Sequence, residues 1–251
     1  VPPDAKIAVL YQADDRVRCE GLAARLAVPL LPYSRRDSSD FTFFLAFQQN
    51  RLCLLKGTAK TGIAVEFDVR SEMQRSWPAP KKGPLAQAIG HKTRTVVDAT
   101  AGWGQDSFLV FRMGYDVLCL ERHPVMAALL GDGLRRLGEQ NWMSHLQLSP
   151  PGLLPGDAIE RLTHLDFIPD CIYLDPMFPE KPKKSALTKK TMTLLRDLVG
   201  GDEDRQQLFS VALQAAGKRV VVKSPDYAPP LRDKNRVSFT GKLLRYDVYF
   251  K

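Results

Sequence analysis

Three short stretches of this 251-residue chain place acids, glycines and an aromatic ring where they could do chemistry. The first is Asp98-Ala99-Thr100-Ala101-Gly102-Trp103-Gly104-Gln105-Asp106. Gly102 and Gly104 let the backbone turn sharply and approach a ligand where side chains would collide. Ser107 stands where a dinucleotide-binding loop has its third glycine, and Asp98 and Asp106 would repel a pyrophosphate, which weighs against a nicotinamide cofactor. The same acids suit a zwitterion that carries an amine and a sulfonium. The second feature is Glu121, 19 positions after Gly102. About 20 positions is the spacing at which a strand-end carboxylate accepts both hydrogen bonds of a ribose diol. The third is Tyr173-Leu174-Asp175-Pro176-Met177-Phe178-Pro179. An aryl amine donates its lone pair into its ring and is a poor nucleophile. A carboxylate (Asp175) and a backbone carbonyl (Pro176) that accept its two N–H bonds would aim that lone pair outward. Phe178 would stack on the ring, worth about 1–3 kcal/mol. The plainer alternatives are a capped strand-to-helix turn, a surface acid and an ordinary Asp-Pro turn; the three features together favour the functional reading.

Lys181, Lys183, Lys184, Lys189 and Lys190 follow the third stretch at once, in a chain with a net charge of +8. A charge run is usually a solvated loop, but beside a base pocket these cations would sit on phosphates, so a nucleic-acid partner is expected. Metal chemistry is not: Cys19, Cys53, Cys119 and Cys171 include no Cys-x-x-Cys pair, and His91, His123, His145 and His164 lack ligand spacing. The thiols read as small buried side chains of a reducing compartment.

The elements that must carry these residues alternate. Strands are predicted at 95–99, 116–121, 146–148, 171–174 and 219–223, with helices at 106–113, 124–137, 158–162, 189–198 and 205–216. This is an α/β pattern with a mostly parallel sheet, and two strands around Gly241 place one antiparallel strand at or near its edge. Ligands then bind beyond the carboxyl ends of the strands, where all three features fall. Residues 1–75 read as a small α+β subdomain: a strand at 6–11, a helix at 18–26 and a meander at 41–48, 51–55 and 63–69. The Pro- and Lys-rich segment 76–84 marks the boundary to a second domain, 76–251. Hydrophobic residues at 44% and charged residues at 25% exclude a disordered, collagenous or coiled-coil chain. No apolar run approaches a membrane span and Val1-Pro2-Pro3-Asp4 is unlike a secretory leader, so a soluble, cytoplasmic protein without a membrane partner is expected.

The Asp175-Pro176-Met177-Phe178 turn resembles the Asp/Asn-Pro-Pro-Tyr/Phe signature of methyltransferases that act on exocyclic amino groups of bases. From about Ile63 to its end the chain resembles the ribosomal RNA small subunit methyltransferase J family. The resemblance rests on Asp98-Ala99-Thr100-Ala101-Gly102-x-Gly104-x-Asp106, Glu121-Arg122-x-Pro124, Asp132-Gly133-Leu134 and Leu174-Asp175-Pro176-Met177-Phe178-Pro179. Lys184-Ser185-Ala186-Leu187 and Pro225-Asp226-Tyr227-Ala228-Pro229-Pro230-Leu231 complete it. It implies a seven-stranded, Rossmann-like class I methyltransferase sheet with a small N-terminal subdomain, S-adenosylmethionine as methyl donor, and a guanine N2 of 16S ribosomal RNA, free or in the small subunit, as target. By matching positions it implies cofactor contacts at Gln105, Asp106, Glu121, Arg122, Asp157, Ala158 and Asp175, beside Gly102. Gln105 and Ser224 each stand where the family often has Arg, and the stretch from Leu148 to Asp157 is longer than usual. Two rival functions stay open at this point: an adenine-N6 methyltransferase acting on DNA or RNA, and an RNA-binding protein of this fold without catalysis.

Overall fold

The computed structural model describes residues 6–67, 77–176, 204–242 and 244–251. They form two compact units. One contains residues 6–66 with His123–Arg136; the other contains 67, 77–122, 137–176 and the described residues from 204 onward.

The first unit is built on a four-stranded sheet of order β2-β1-β3-β4, formed by β1 (Ile7–Tyr11), β2 (Leu30–Pro32), β3 (Phe43–Gln48) and β4 (Arg51–Lys56). Helix α1 (Arg16–Leu26) links β1 to its parallel neighbour β2 and buries Cys19, Leu22 and Ala23. It ends at Ala27, whose φ of 53° is left-handed. Strand β3 also runs parallel to β1, and only β3 and β4 form a hairpin, across the positive-φ pair Gln49 and Asn50. The predicted meander is therefore a mixed sheet. β2 was not foreseen, because three residues ending in Pro are a weak strand signal that an edge position still tolerates. The predicted strand 63–69 reduces to one antiparallel bridge between Ile63 and Leu54; residues 68 and 69 lie outside the described set. Beyond Ile63, the Arg136 guanidinium takes the Val65 carbonyl and the Glu66 carboxylate, so side chains satisfy this segment where a ladder would have.

Arg136 belongs to α4 (Pro124–Gly138), whose Asp132 carboxylate accepts the Leu52 N–H at 3.0 Å and is flanked by Arg135 and Arg136 at 2.8 and 2.9 Å. Although burial opposes its charge, these partners hold the Asp132 carboxyl below its usual range. The Asp132-Gly133 pair, read from sequence only as part of a family pattern, thus has a physical role inside this unit.

The second unit holds a seven-stranded sheet of order β10-β11-β9-β8-β5-β6-β7. Its members are β5 (Thr95–Asp98), β6 (Asp116–Glu121), β7 (Gly152–Pro155), β8 (Cys171–Leu174), β9 (Arg219–Pro225), β10 (Arg236–Thr240) and β11 (Leu244–Phe250). All pairs from β7 to β9 are parallel; β11 lies antiparallel between β9 and β10, one place in from the edge. Strand alternation sorts the side chains. Val97, Leu120, Ile172, Leu174, Val220 and Val222 form one buried face against α6 (Ala158–Thr163) and α7 (Arg205–Ala215). The other face carries Asp98, Tyr173 and Lys223, which bond to α3 (Gln105–Arg112). Two further short helices, α2 (Pro84–Ile89) and α5 (Asn141–His145), were not foreseen.

The strand predicted at 146–148 is not formed. Gln147 has a φ of 53°, and the strand is Gly152–Pro155 instead. Its Gly and Pro hid it, yet both are tolerated because β7 is the sheet's edge. The helix predicted at 189–198 lies outside the described residues. All four cysteines are buried and unpaired by disulfides, and burial pushes the Cys119 and Cys171 thiols up to about 12, so they stay protonated. Among the described residues no helix is long and apolar enough to cross a membrane.

Candidate active site

Parallel strands deliver their carboxyl ends to one edge of the sheet, and the loops there hold most of the residues singled out above. Gly102 and Gly104 adopt φ of 52° and 71°, the left-handed region that disfavours other residues, so the glycines of the first stretch are required by its backbone. The turn is held from three sides. Glu121 Oε2 at the end of β6 accepts the Gly102 N–H at 2.9 Å, Ala101 N–H donates to the Leu120 carbonyl at 3.1 Å, and the buried Asp98 accepts from Thr100 N–H at 3.1 Å and from the Ser107 hydroxyl. Ser107, in the place of a third glycine, is thus a donor to the strand-end acid. Burial pushes the Asp98 carboxyl up from 3.8 to about 7, against the pull of its Ser107 and Thr100 hydrogen bonds. Trp103, between the two glycines, is 9% exposed, and its indole N–H has no hydrogen-bond partner among the described residues.

Glu121 is tied to its surroundings through its main chain as well as its side chain. Its carbonyl also accepts Gly156 N–H at 2.9 Å, which ties it to the next loop, where Asp157 caps α6 by accepting Ile159 N–H at 2.8 Å and Ala158 is buried. Gln105 opens α3. The Arg122 side chain pairs with Asp204 at 2.8 Å, at the start of α7.

Asp175 leaves β8 with its N–H donated to Thr100 Oγ1 at 2.6 Å, which joins the third stretch to the first. Pro176 behind it is buried, while the Asp175 side chain remains 39% exposed. Phe178, Lys181, Lys183, Lys184, Lys189 and Lys190 lie outside the described residues. Lys223, which the motifs of the sequence do not include, bridges Asp106 at 2.8 Å and Asp175 at 2.7 Å. Burial opposes its charge, yet Asp175 and Asp106 outweigh that and hold its pKa well above the ordinary lysine value. Tyr173 donates its hydroxyl to Asp106 at 2.5 Å, and its pKa is raised, first by burial and then by the neighbouring Asp175 and Asp106. In the sequence Lys223 shows only as a cation closing the apolar run Val220-Val221-Val222; the β8–β9 register puts it on the face of Tyr173. Among the described residues no three His, Cys, Asp or Glu side chains gather as metal ligands.

A left-handed glycine turn, a strand-end glutamate 19 positions on and acids in place of phosphate-binding groups fit S-adenosylmethionine, with its ribose diol and two cationic centres. The sequence model of S-adenosylmethionine-dependent methyltransferases matches residues 31–251. A crystal structure of such an enzyme from Neisseria gonorrhoeae, 29% identical, covers 98% of this chain and 96% of its own with a TM-score of 0.69. The chain is a member of this class of enzymes, with the class I fold. Within it, the chain is 40% identical to the ribosomal RNA small subunit methyltransferase J of Thioalkalivibrio sulfidiphilus over 98% of both proteins. It is 48% identical to that of Tolumonas auensis over 66% of this chain and 68% of the relative. It belongs to the ribosomal RNA small subunit methyltransferase J family.

Proposed function

We propose that this protein methylates a guanine N2 amino group of 16S ribosomal RNA, free or within the small ribosomal subunit, in the cytoplasm. One observation carries the reading: Asp175 stands at the end of central β8 with its carboxylate half-exposed, its backbone N–H bonded to the glycine loop and its carboxylate linked through Lys223 to Asp106. S-adenosylmethionine, when bound, supplies a sulfonium methyl that is already activated for attack. The protein's own residues do the rest by binding and orientation. Glu121 accepts hydrogen bonds of the ribose diol, and the Gly102–Gly104 turn admits the ligand to the backbone; Gln105, Asp106, Arg122, Asp157 and Ala158 complete that side. Asp175 and the Pro176 carbonyl accept the two N–H bonds of the target amine, turning its lone pair toward the methyl group. Phe178 stacks on the base, and Lys181, Lys183, Lys184, Lys189 and Lys190 hold the RNA backbone. In this reading residues 1–75 are a small N-terminal subdomain and residues 76–251 the methyltransferase domain.

The test is direct. The purified protein is incubated with S-adenosylmethionine and 16S RNA or small subunits from cells that lack the enzyme, and the nucleosides are analysed by mass spectrometry. N2-methylguanosine is the expected product. N6-methyladenosine, or no methylated nucleoside at all, would overturn the proposal.

A further inference from the structure

Lys223 sits where packing alone would place another valine. Val220, Val221 and Val222 before it are each 0% exposed, and its own side chain is 19% exposed. An ammonium with so little exposure calls for fixed charges beside it, because burying a charge without a partner is costly. Its two partners come from different elements: Asp106 from the first turn of α3 and Asp175 from the loop after β8. Each partner is also held from a second direction: the Asp106 carboxylate accepts the Tyr173 hydroxyl, and the Asp175 main chain donates its N–H to Thr100 Oγ1. Tyr246 lies directly across from Lys223 in the β9–β11 register. Two carboxylates around one ammonium leave a net charge of −1 for the trio.

We propose that Lys223 is a positioning residue for methyl transfer: its ammonium fixes the Asp175 carboxylate against the Asp106 loop and offsets one of the two negative charges that face the methyl donor. The inference rests on the reading of Asp175 as acceptor of the target amine's N–H bonds. Two consequences of opposite sign follow. Without the ammonium, Asp106 and Asp175 repel each other and Asp175 loses its orientation, so transfer slows. The pocket also becomes more negative by one charge. That favours the donor, which carries a net +1 at neutral pH, over its demethylated product, which carries no net charge. A lysine that merely braced the fold would weaken both ligands and the rate together.

The experiment compares wild type with Lys223→Met, which keeps the apolar stem, and Lys223→Arg, which restores a cation. Calorimetry without RNA measures affinity for S-adenosylmethionine and S-adenosylhomocysteine; single-turnover assays with 16S RNA measure transfer. Lys223→Met should slow transfer about tenfold to a hundredfold, the usual effect of a misplaced catalytic group. Its preference for donor over product should rise about tenfold. Lys223→Arg should recover most of the rate. A wild-type rate in Lys223→Met, an unchanged donor-to-product preference, or parallel losses for both ligands would each overturn the inference. Where Lys223→Met does not fold, Lys223→Gln makes the same removal of charge and is read by the same outcomes. Should wild type itself transfer no methyl group to guanine, the functional reading falls, while the binding preference, which needs no RNA, still decides the role of the Lys223 charge.

Discussion

Glu121 offers the sharpest test of how the methyl donor is held. The residue is 7% exposed at the end of β6, and Oε2 accepts the Gly102 N–H at 2.9 Å. A hydrogen bond to a charged acceptor contributes about 1.5–3 kcal/mol, so Glu121→Ala removes that much from the glycine turn alone. The bonds proposed to a ribose diol would be lost with the same side chain, and the two losses are not simply additive because both involve Glu121. At about 1.4 kcal/mol per decade, affinity for S-adenosylmethionine should fall about tenfold to a hundredfold. Glu121→Gln separates the contributions. Its amide oxygen can still accept from Gly102, and a neutral hydrogen bond is worth about half a charge-assisted one, so the loss should stay below about tenfold. Calorimetry on variants whose circular dichroism matches wild type reads both numbers. Unchanged affinity in Glu121→Ala would remove Glu121 from the site, and equal large losses in Ala and Gln would refute the hydrogen-bond argument.

Other consequences can be checked as directly. Burial holds the Asp98 carboxyl at about 7 against an unfolded value of 3.8, so between those pH values the folded protein binds more protons and its stability from this group, full below about pH 4, is lost as pH rises through about 7. Asp98→Asn should therefore gain stability relative to wild type between about pH 4 and pH 8, and a urea-denaturation difference that does not move with pH would contradict this. Gly133→Ala should destabilise the protein although alanine is ordinarily worth about 1 kcal/mol over glycine inside a helix. A Cβ there would stand 2.5 Å from Val65 Cγ1, and overpacking of about 1–3 kcal/mol outweighs the helical gain; a stabilised variant would disprove the close approach. Neutralising Lys183 and Lys184 together should weaken RNA binding and flatten its dependence on log salt by about 0.7–0.9 for each phosphate no longer neutralised, with donor affinity intact; equal slopes in a filter-binding titration would leave these lysines as solvated.

Much of the α/β sheet was legible because its signals are local. Val96 and Val97, the Val117-to-Leu120 run and Cys171 to Leu174 are short apolar stretches flanked by turn residues, and the helices between them keep their own period. The glycine turn and Glu121 were legible for the same reason, since their spacing follows from one strand–helix–strand unit. What escaped depends on partners far away in sequence. Lys223 meets Asp175 across 48 positions and Asp106 across 117, and nothing near it announces either pairing. The parallel pairing of β1 with β3 is likewise invisible in a pattern that shows only where strands are, not which of them pair. β7 was misplaced because Leu146 and Leu148 look more strand-like than a segment bounded by Gly152 and Pro155. Edge position, which excuses the proline, is a property of the finished sheet.

The clasp that Asp132 and Arg136 place on Leu52, Val65 and Glu66 sets an order of events during synthesis. Arg136 is made 70 positions after Glu66, and β5 and β6 emerge in between. When the first sheet leaves the ribosome, the Leu52 N–H that Asp132 will accept and the segment that Arg136 will grip are still open to water. They stay so until about a quarter of the chain more has been translated. The first unit is therefore completed only after β5 and β6 of the second have been made. A fragment cut at the proline-rich segment would carry the four strands without the helix that closes them, and would leave the buried Leu52 and Val65 open to water. Dissection of this protein should respect the helix, not the linker.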